Sequence, residues 1–318
     1  MKREAFVLSL AFVVVAACKP ALDEDLSHVD APRVLAVQVE PPEAKPGEQV
    51  KLRALYTDGK TTAAAPLDWS FCIARRALAE PTALSAACIE HAEGALVPLG
   101  LASEVRGVLP VDACRLFGPD RPLGKPGEPA GRAADPDVTG GYYQPGIVRA
   151  PGAGDTMFEV RIRCGLAGAT QADVAEYERT YRSNTNPAFR EVAVVRGERA
   201  EPVADGAEIA ASPGEVVRLR VSWPDCTDAM PCGGAESYPA FDTALRLLVQ
   251  RRESMRVSWL ATQGHFADAR GGRAEDDPAT EVETTWTAPV SAGSALVWLV
   301  LRDARGGTAM RSFRVNVR

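Results

Sequence analysis

The sequence predicts a mainly β protein made of two tandem β-sandwich modules. Short segments in which apolar and polar residues alternate are separated by Gly- and Pro-rich turns, the pattern of antiparallel strands. One turn and strand occurs twice, as PGEQVKLR at 46–53 and PGEVVRLR at 213–220. Each copy is followed by a strand-like segment with a tryptophan, Trp69 or Trp259, a large side chain suited to the centre of a sandwich.

A second pair of segments supports the repeat. A Pro-containing turn precedes an apolar and basic strand at 150–163, and a similar turn and strand occupy 288–302. Two matches in the same order predict that residues 34–168 and 188–318 form equivalent modules.

The first module is predicted to carry a long irregular insertion at about 113–147, because this stretch is rich in Pro, Gly, Asp and Arg. A spacer or a family-specific elaboration is favoured over a binding loop, for which Tyr142 and Tyr143 at its end are the candidate contacts. A short helix is expected between the modules, within 169–187. Thr170 and Asp173 form a capping-box pattern, and Pro187 ends the segment.

The N-terminus has the features of an export signal. Two basic residues precede an apolar segment at 5–15, which is shorter than the roughly 20 residues that span a bilayer. Val-Ala-Ala-Cys at 15–18 resembles the bacterial lipobox. The resemblance implies that residues 1–17 are removed, that Cys18 is acylated, and that 18–33 form a lipid-anchored tether. Enterobacterial sorting rules retain lipoproteins with Asp after the cysteine in the inner membrane, and resemblance to them implies that Lys19 favours the outer membrane of the cell envelope.

The second module resembles bacterial immunoglobulin-like and PKD-like domains. The similarity lies in VSWLATQGHF at 257–266, TTWTAP at 284–289 and VLRDARGG at 300–307. Together with the repeat, it implies two immunoglobulin-like sandwiches in an envelope lipoprotein of uncharacterised type. Such folds host adhesion, spacing and binding alike, so the resemblance does not select a ligand.

Six cysteines remain after Cys18, and an even number in an oxidising compartment predicts three disulfides. Cys226 and Cys232 are expected to close a small loop. The four cysteines of the first module allow three pairings, among which we favour Cys72 with Cys88 and Cys114 with Cys164. A metal site is disfavoured because no Cys-x-x-Cys pair is present.

No catalytic motif for acyl, phosphoryl or hydride transfer is present. His28, His91 and His265 are interpreted as surface or turn residues, so we assign no catalytic residue, cofactor or metal. Two binding patterns are also disfavoured. The acidic residues near 268–277 are diluted by arginines, which favours a solvated loop over a calcium site. The tryptophans lie in apolar strand patterns, which favours core packing over a sugar platform; they are Trp223, Trp259, Trp286 and Trp298.

These patterns predict a non-enzymatic, lipid-anchored envelope protein that acts in adhesion, scaffolding or surface assembly. The expected partners are the membrane, through the anchor, and an envelope protein or polysaccharide. A net charge of −6 with scattered Lys and Arg disfavours nucleic acid. A carbohydrate-binding lipoprotein or a divergent hydrolase subunit is the alternative. The residues leave the partner, the membrane leaflet and the oligomeric state open.

Overall fold

The computed structural model describes residues 26–76, 84–120, 136–226 and 232–318. The predicted signal peptide and Cys18 lie outside these ranges. Strands of the first module form two facing sheets; they are β1 (Arg33–Glu40), β2 (Glu43–Ala44), β3 (Gln49–Thr57), β4 (Leu67–Cys72), β5 (Leu96–Ala102), β6 (Glu104–Val108), β7 (Tyr142–Ala150) and β8 (Gly154–Ile162).

Two further sheets and a hairpin make up the second module. Its strands are β9 (Glu191–Arg196), β10 (Arg199–Pro202), β11 (Glu208–Ala211), β12 (Val216–Ser222), β13 (Ser237–Asp242), β14 (Leu247–Arg252), β15 (Met255–Ala261), β16 (His265–Phe266), β17 (Arg270–Arg273), β18 (Glu281–Thr287), β19 (Gly293–Asp303) and β20 (Thr308–Val317). The helices of the described chain are short: α1 (Ala86–Ile89), α2 (Ala113–Phe117) and α3 (Gln171–Thr180).

Both modules have the strand order of an immunoglobulin-like sandwich. In the first, the sheet β1-β3-β6 faces the sheet β2-β8-β7-β4-β5. In the second, the sheet β10-β9-β12-β18-β16 faces the sheet β11-β20-β19-β15-β17. The short β2 and β11 each pair in parallel with the last strand of their module, whereas the other neighbours are antiparallel. The predicted fold class, two immunoglobulin-like β-sandwiches, is confirmed.

Alternation of side chains explains why these segments form strands. In β3, Val50 and Leu52 are fully buried while Lys51 and Arg53 are exposed, because successive side chains of a strand point to opposite faces. Trp69 on β4 and Trp259 on β15 occupy equivalent central strands and are fully buried, as the immunoglobulin-like pattern requires.

Only one half of the predicted repeat joins equivalent strands. The segments 46–53 and 213–220 lead into β3 and β12, which hold the same place in their sheets. The second match is wrong as a structural equivalence, because 150–163 leads into β8, the last strand of its module, whereas 288–302 leads into β19, the penultimate one. A turn followed by an apolar and basic strand is generic to antiparallel sheets, so it does not identify a position.

The predicted insertion ends earlier than expected. Residues 142–147 belong to β7, which lies in the sheet between β4 and β8. Pro145 hides this strand in the sequence because proline has no N–H for the ladder. The structure compensates with a side chain, since the buried Gln144 Nε2 donates to the carbonyl of Cys72 at 2.6 Å.

The connector helix begins as predicted and ends sooner. Thr170 and Asp173 form both hydrogen bonds of a capping box at the start of α3. The segment predicted for it extends to Pro187, but the helix ends at Thr180 because Tyr181 adopts an extended conformation (ψ 135°) and its side chain is buried at the junction of the modules. In the described ranges, no helix has the length and apolar character needed to cross a membrane.

Candidate functional site at the junction of the modules

The two modules share an apolar contact on the outer face of the sheet that contains β19. Alternate residues of β19 serve two cores. Ala295, Val297 and Leu299 face the interior of the second module, whereas Leu296, Trp298 and Val300 pack against Ala36 and Leu55 of the first. The uninterrupted apolar run at 295–301 is therefore a strand buried on both faces.

Trp298 anchors this contact. Its ring is fully buried, and its Nε1 donates to Thr62 Oγ1 of the first module at 2.7 Å. The expectation that the tryptophans pack in cores is confirmed for Trp223, Trp259 and Trp286. Trp298 is also buried, but it fills the contact between modules.

A buried polar cluster, which we name the clasp, forms the second part of the junction. It joins β2 and β8, the connector after α3, both ends of the β13–β14 hairpin, and the turn between β19 and β20. Its side chains, each at most 9% exposed, are Glu43, Arg161, Tyr181, Asn184, Glu236, Glu253, Asp303 and Arg305.

Arg305 is the centre of the clasp. Its Nε donates to Glu253 Oε1 at 2.6 Å and its Nη2 to Glu236 Oε2 at 3.0 Å. The guanidinium also donates to the carbonyl of Arg182 at 3.0 Å and lies 4.5 Å from the centre of the Tyr238 ring. A fully buried arginine is stable only with such partners, because an unpaired buried charge is costly.

The other half of the clasp ties the connector to the first module. Glu43 Oε2 accepts from Tyr181 Oη at 2.7 Å and from the backbone N–H of Asn184 at 2.8 Å. Arg161 Nε lies 3.6 Å from the same carboxylate. Asn184 Nδ2 then donates to Asp303 at 3.2 Å, which links this half to the second module.

Burial changes the acidity of the clasp. The pKa of Glu253 is raised to about 8 by burial and by the negative charge of Asp303, against the opposing effect of Arg305. Burial also raises the pKa of Asp303. Both shifts favour the protonated acid, which reduces the excess of carboxylates over arginines in the cluster.

The clasp is built for cohesion rather than catalysis. Glu236 and Glu253 are the buried carboxylates that come closest to one arginine, but each is only 1% exposed and each accepts hydrogen bonds from protein donors. A glycoside hydrolase needs two carboxyl groups open to substrate on either side of the scissile bond. This pair offers no such opening.

Part of the predicted tether is packed on the second module. Ser27 and Val29 are almost completely buried. The Val29 N–H donates to the carbonyl of Ala261 at 2.9 Å, and the Ala261 N–H donates to the carbonyl of Ser27 at 2.8 Å. The chain therefore enters the structure along the end of β15, and residues 27–29 are held by a strand-like pairing.

The six cysteines form the three bonds that the sequence favours. Cys72 and Cys88 join β4 to α1, with Cα atoms 5.7 Å apart. Cys114 and Cys164 join α2 to the end of β8, with Cα atoms 5.6 Å apart. Cys226 and Cys232 close the short loop before the hairpin.

The histidines are spread over separate parts of the fold. His91 follows α1 and pairs with Asp155 at 2.7 Å, His265 lies on β16, and His28 bridges to Ala261. No cluster of three or more metal-ligating side chains occurs among the described residues. The acidic loop carries ion pairs instead: Glu275 with Arg251 and Asp277 with Arg273, both at 3.1 Å. Asp268 and Asp276 are exposed positions of the same region.

Comparisons with known proteins add little to this description. No protein-family model matches the chain, and no curated protein matches it. Similar solved structures include fibronectin(III)-like modules of CbhA from Clostridium thermocellum, with 10% identity over 89% of this chain and 94% of that one, at a TM-score of 0.24.

Two further structures show the same level of likeness. The adhesin InvE of Yersinia pseudotuberculosis is 11% identical over 89% of this chain and 58% of its own, with a TM-score of 0.23. A nucleoside hydrolase-related protein of Saccharophagus degradans is 14% identical over 50% of this chain, with a TM-score of 0.22, and this chain spans only 35% of its length. Likenesses this weak carry no argument, so the fold assignment rests on strand order and the buried tryptophans.

Proposed function

We propose that the protein is a lipid-anchored, non-enzymatic component of the cell envelope that holds two immunoglobulin-like modules as one rigid binding and scaffolding unit. The observation that carries this proposal is the junction. An apolar contact around Trp298 and a buried clasp around Arg305 fix the modules to each other, whereas independent modules would be joined by few contacts.

The docked segment at 27–29 supports a display role. A chain anchored at Cys18 would enter the unit next to Ala261, so the free length between lipid and fold would be 18–26 rather than the whole of 18–33. A shorter tether restricts the orientations of the unit above the membrane. Association with an envelope protein or polysaccharide is the role that we propose for its exposed surfaces.

The alternative functions have weaker support. A sugar platform of tryptophans is disfavoured because all five tryptophan side chains are at most 1% exposed. A hydrolase is disfavoured because the closest buried carboxylates are already paired with Arg305. We therefore propose a binding role rather than an enzymatic one.

Anchoring is tested by Cys18→Ser in the producing bacterium. Three acyl chains give stable membrane association, so the wild-type protein should incorporate palmitate and enter the detergent phase, while Cys18→Ser should do neither. The Cys226→Ser–Cys232→Ser double variant is the matched control, since it removes two cysteines and leaves the lipobox intact. Recovery of Cys18→Ser in the detergent phase would refute lipid anchoring.

A further inference from the structure

The outer face of the β19 sheet changes character along its length. One end is covered by the first module through residues such as Leu260 and Trp298. Beyond this contact the same face carries Arg256, Arg270 and Arg302, which we name the arginine row.

Strand register places these arginines side by side. Arg256 on β15 is directly opposite Arg302 on β19, and Arg270 on β17 is opposite Ser258, two residues from Arg256 and on the same face. Neighbouring strands are about 4.8 Å apart, so three guanidinium side chains lie across three adjacent strands. Arg256 and Arg270 are exposed and Arg302 is half-buried.

The row has no carboxylate partners among the described residues. Within the described ranges its three members form no ion pair, and Arg302 makes one long hydrogen bond, to the carbonyl of Leu35 at 3.5 Å. Burial and the like charges of Arg270 and Arg256 lower the pKa of Arg302. Like charges placed opposite each other on a sheet are destabilising, so the arrangement costs stability without an external anion.

Two arginines on the opposite sheet of the same module, in contrast, have carboxylate partners. Arg218 pairs with Glu283 at 3.7 Å, and Arg220 pairs with Glu191 at 3.6 Å. The chain as a whole is acidic, with a net charge of −6. The row is therefore a local concentration of unpaired positive charge on a chain that is acidic overall.

Arg256 and Arg270 of the row also line a cleft of about 540 Å³ beside the hairpin. Three more arginines line it: Arg251, Arg252 and Arg273. Glu275 is the acidic residue of the lining and is already paired with Arg251. Arg273 is paired with Asp277, so Arg252 is the lining arginine that adds to the unpaired positive charge of the row among the described residues.

We propose that the arginine row and its cleft bind an acidic polysaccharide through the carboxylates of the sugar chain. The planar guanidinium fork matches carboxylate geometry, and a row of forks on an open sheet face matches a linear chain of regularly spaced anions. A stiff glycan loses less conformational entropy on binding than a flexible acidic peptide does.

The position of the row also disfavours the lipid headgroups of the anchoring membrane as its ligand. The N-terminal segment docks at Ala261, at one end of β15, while Arg256 lies near the other end, about 17 Å away along the strand. This choice of ligand rests on the proposed function, whereas the unpaired positive charge of the row does not.

The test measures binding of the full chain carrying Cys18→Ser, so that a failure of lipid anchoring does not affect the result. The probe is polygalacturonate, and the uncharged control ligand is the same polymer with its carboxylates fully methyl-esterified. Arg256→Gln–Arg270→Gln is compared with Arg199→Gln–Arg218→Gln, a control that removes the same charge from two exposed arginines of the other sheet. Circular dichroism and thermal unfolding confirm that each variant is folded.

We expect salt-sensitive binding of polygalacturonate, with Kd raised about tenfold or more in the row variant and changed less than about twofold in the control variant. Arg256→Lys–Arg270→Lys should bind with intermediate affinity, because lysine keeps the charge but not the fork.

Equal loss in both double variants, or equal binding of the methyl-esterified polymer, would overturn the proposal. Tighter binding of poly-glutamate or of phosphatidylglycerol vesicles than of polygalacturonate would also overturn it, by assigning the row to an acidic peptide or a membrane surface.

Discussion

Replacing Arg305 with methionine should show how strongly the clasp holds the modules together. The substitution keeps much of the side-chain volume but removes the cation between Glu236 and Glu253, which lie 3.0 Å and 2.6 Å from it. Breaking a buried ion pair by removing one partner costs about 3–5 kcal/mol, because the remaining charge is left without compensation. We expect a loss of this size in the free energy of unfolding at pH 8.

The loss should depend on pH in a defined direction. In the folded protein the pKa of Glu253 is about 8, against 4.5 for an ordinary glutamate, so the folded state holds a proton that the unfolded state has released. The stability associated with this proton is complete below pH 4.5 and is lost as the pH rises through 8.

Without Arg305 the pKa of Glu253 should rise further, because the arginine is the group that opposes burial. At pH 8 the wild-type Glu253 is still about half protonated, so this rise makes the cost of Arg305→Met smaller at pH 5 than at pH 8 by at most about 0.4 kcal/mol.

Urea denaturation followed by tryptophan fluorescence measures both effects, since every tryptophan is buried in a core or at the junction. The control is Arg305→Met–Glu236→Gln–Glu253→Gln, which neutralises the whole group and should recover most of the loss, because an intact buried ion cluster contributes little net stability. A loss below about 1 kcal/mol at pH 8, or a loss clearly larger at pH 5 than at pH 8, would refute this account of the clasp.

Two further pairs of variants test other parts of the structure. Trp298→Ala should reduce the free energy of unfolding by about 3–5 kcal/mol, because it empties a fully buried site between the modules, while Thr62→Val should cost only about 1 kcal/mol for the lost hydrogen bond; similar losses for both would contradict the packing argument. Among the disulfides, Cys114→Ala–Cys164→Ala should reduce the free energy of unfolding by about 4 kcal/mol, and Cys72→Ala–Cys88→Ala by about 3 kcal/mol, in the chain-entropy model. The first bond closes a separation of 50 residues and the second one of 16, and a longer closed loop gives a larger loss. Chemical denaturation of the two variants compares them directly, and the reverse order would contradict the loop-length argument.

The sequence predicted those features that depend on neighbouring residues. Alternation in β3, the capping box at Thr170 and the tryptophans of the two central strands are local patterns, and each appears in the structure. Part of β7 was missed for a local reason too, because Pro145 has no N–H for the strand ladder. In the structure, the side chain of Gln144 supplies a donor in its place.

The junction could not be predicted in this way, because its partners are far apart in the chain. Tyr181 and Glu43 are separated by 138 residues, and Arg305 and Glu236 by 69. One sequence pattern is consistent with the junction. A strand in an antiparallel sandwich normally alternates, so the unbroken apolar run at 295–301 indicated burial on both faces and hence a second packing surface.

The same strand connects the junction to the arginine row. Trp298 and Arg302 lie on one face of β19, the first against Thr62 and the second within reach of the Leu35 carbonyl. Because the first module covers the apolar part of this face and reaches as far as Arg302, its position determines where the covered surface ends and the exposed positive surface begins. The clasp and the apolar contact therefore set the shape of the proposed binding site as well as joining the modules, which gives a physical reason for holding the two immunoglobulin-like modules in one fixed arrangement.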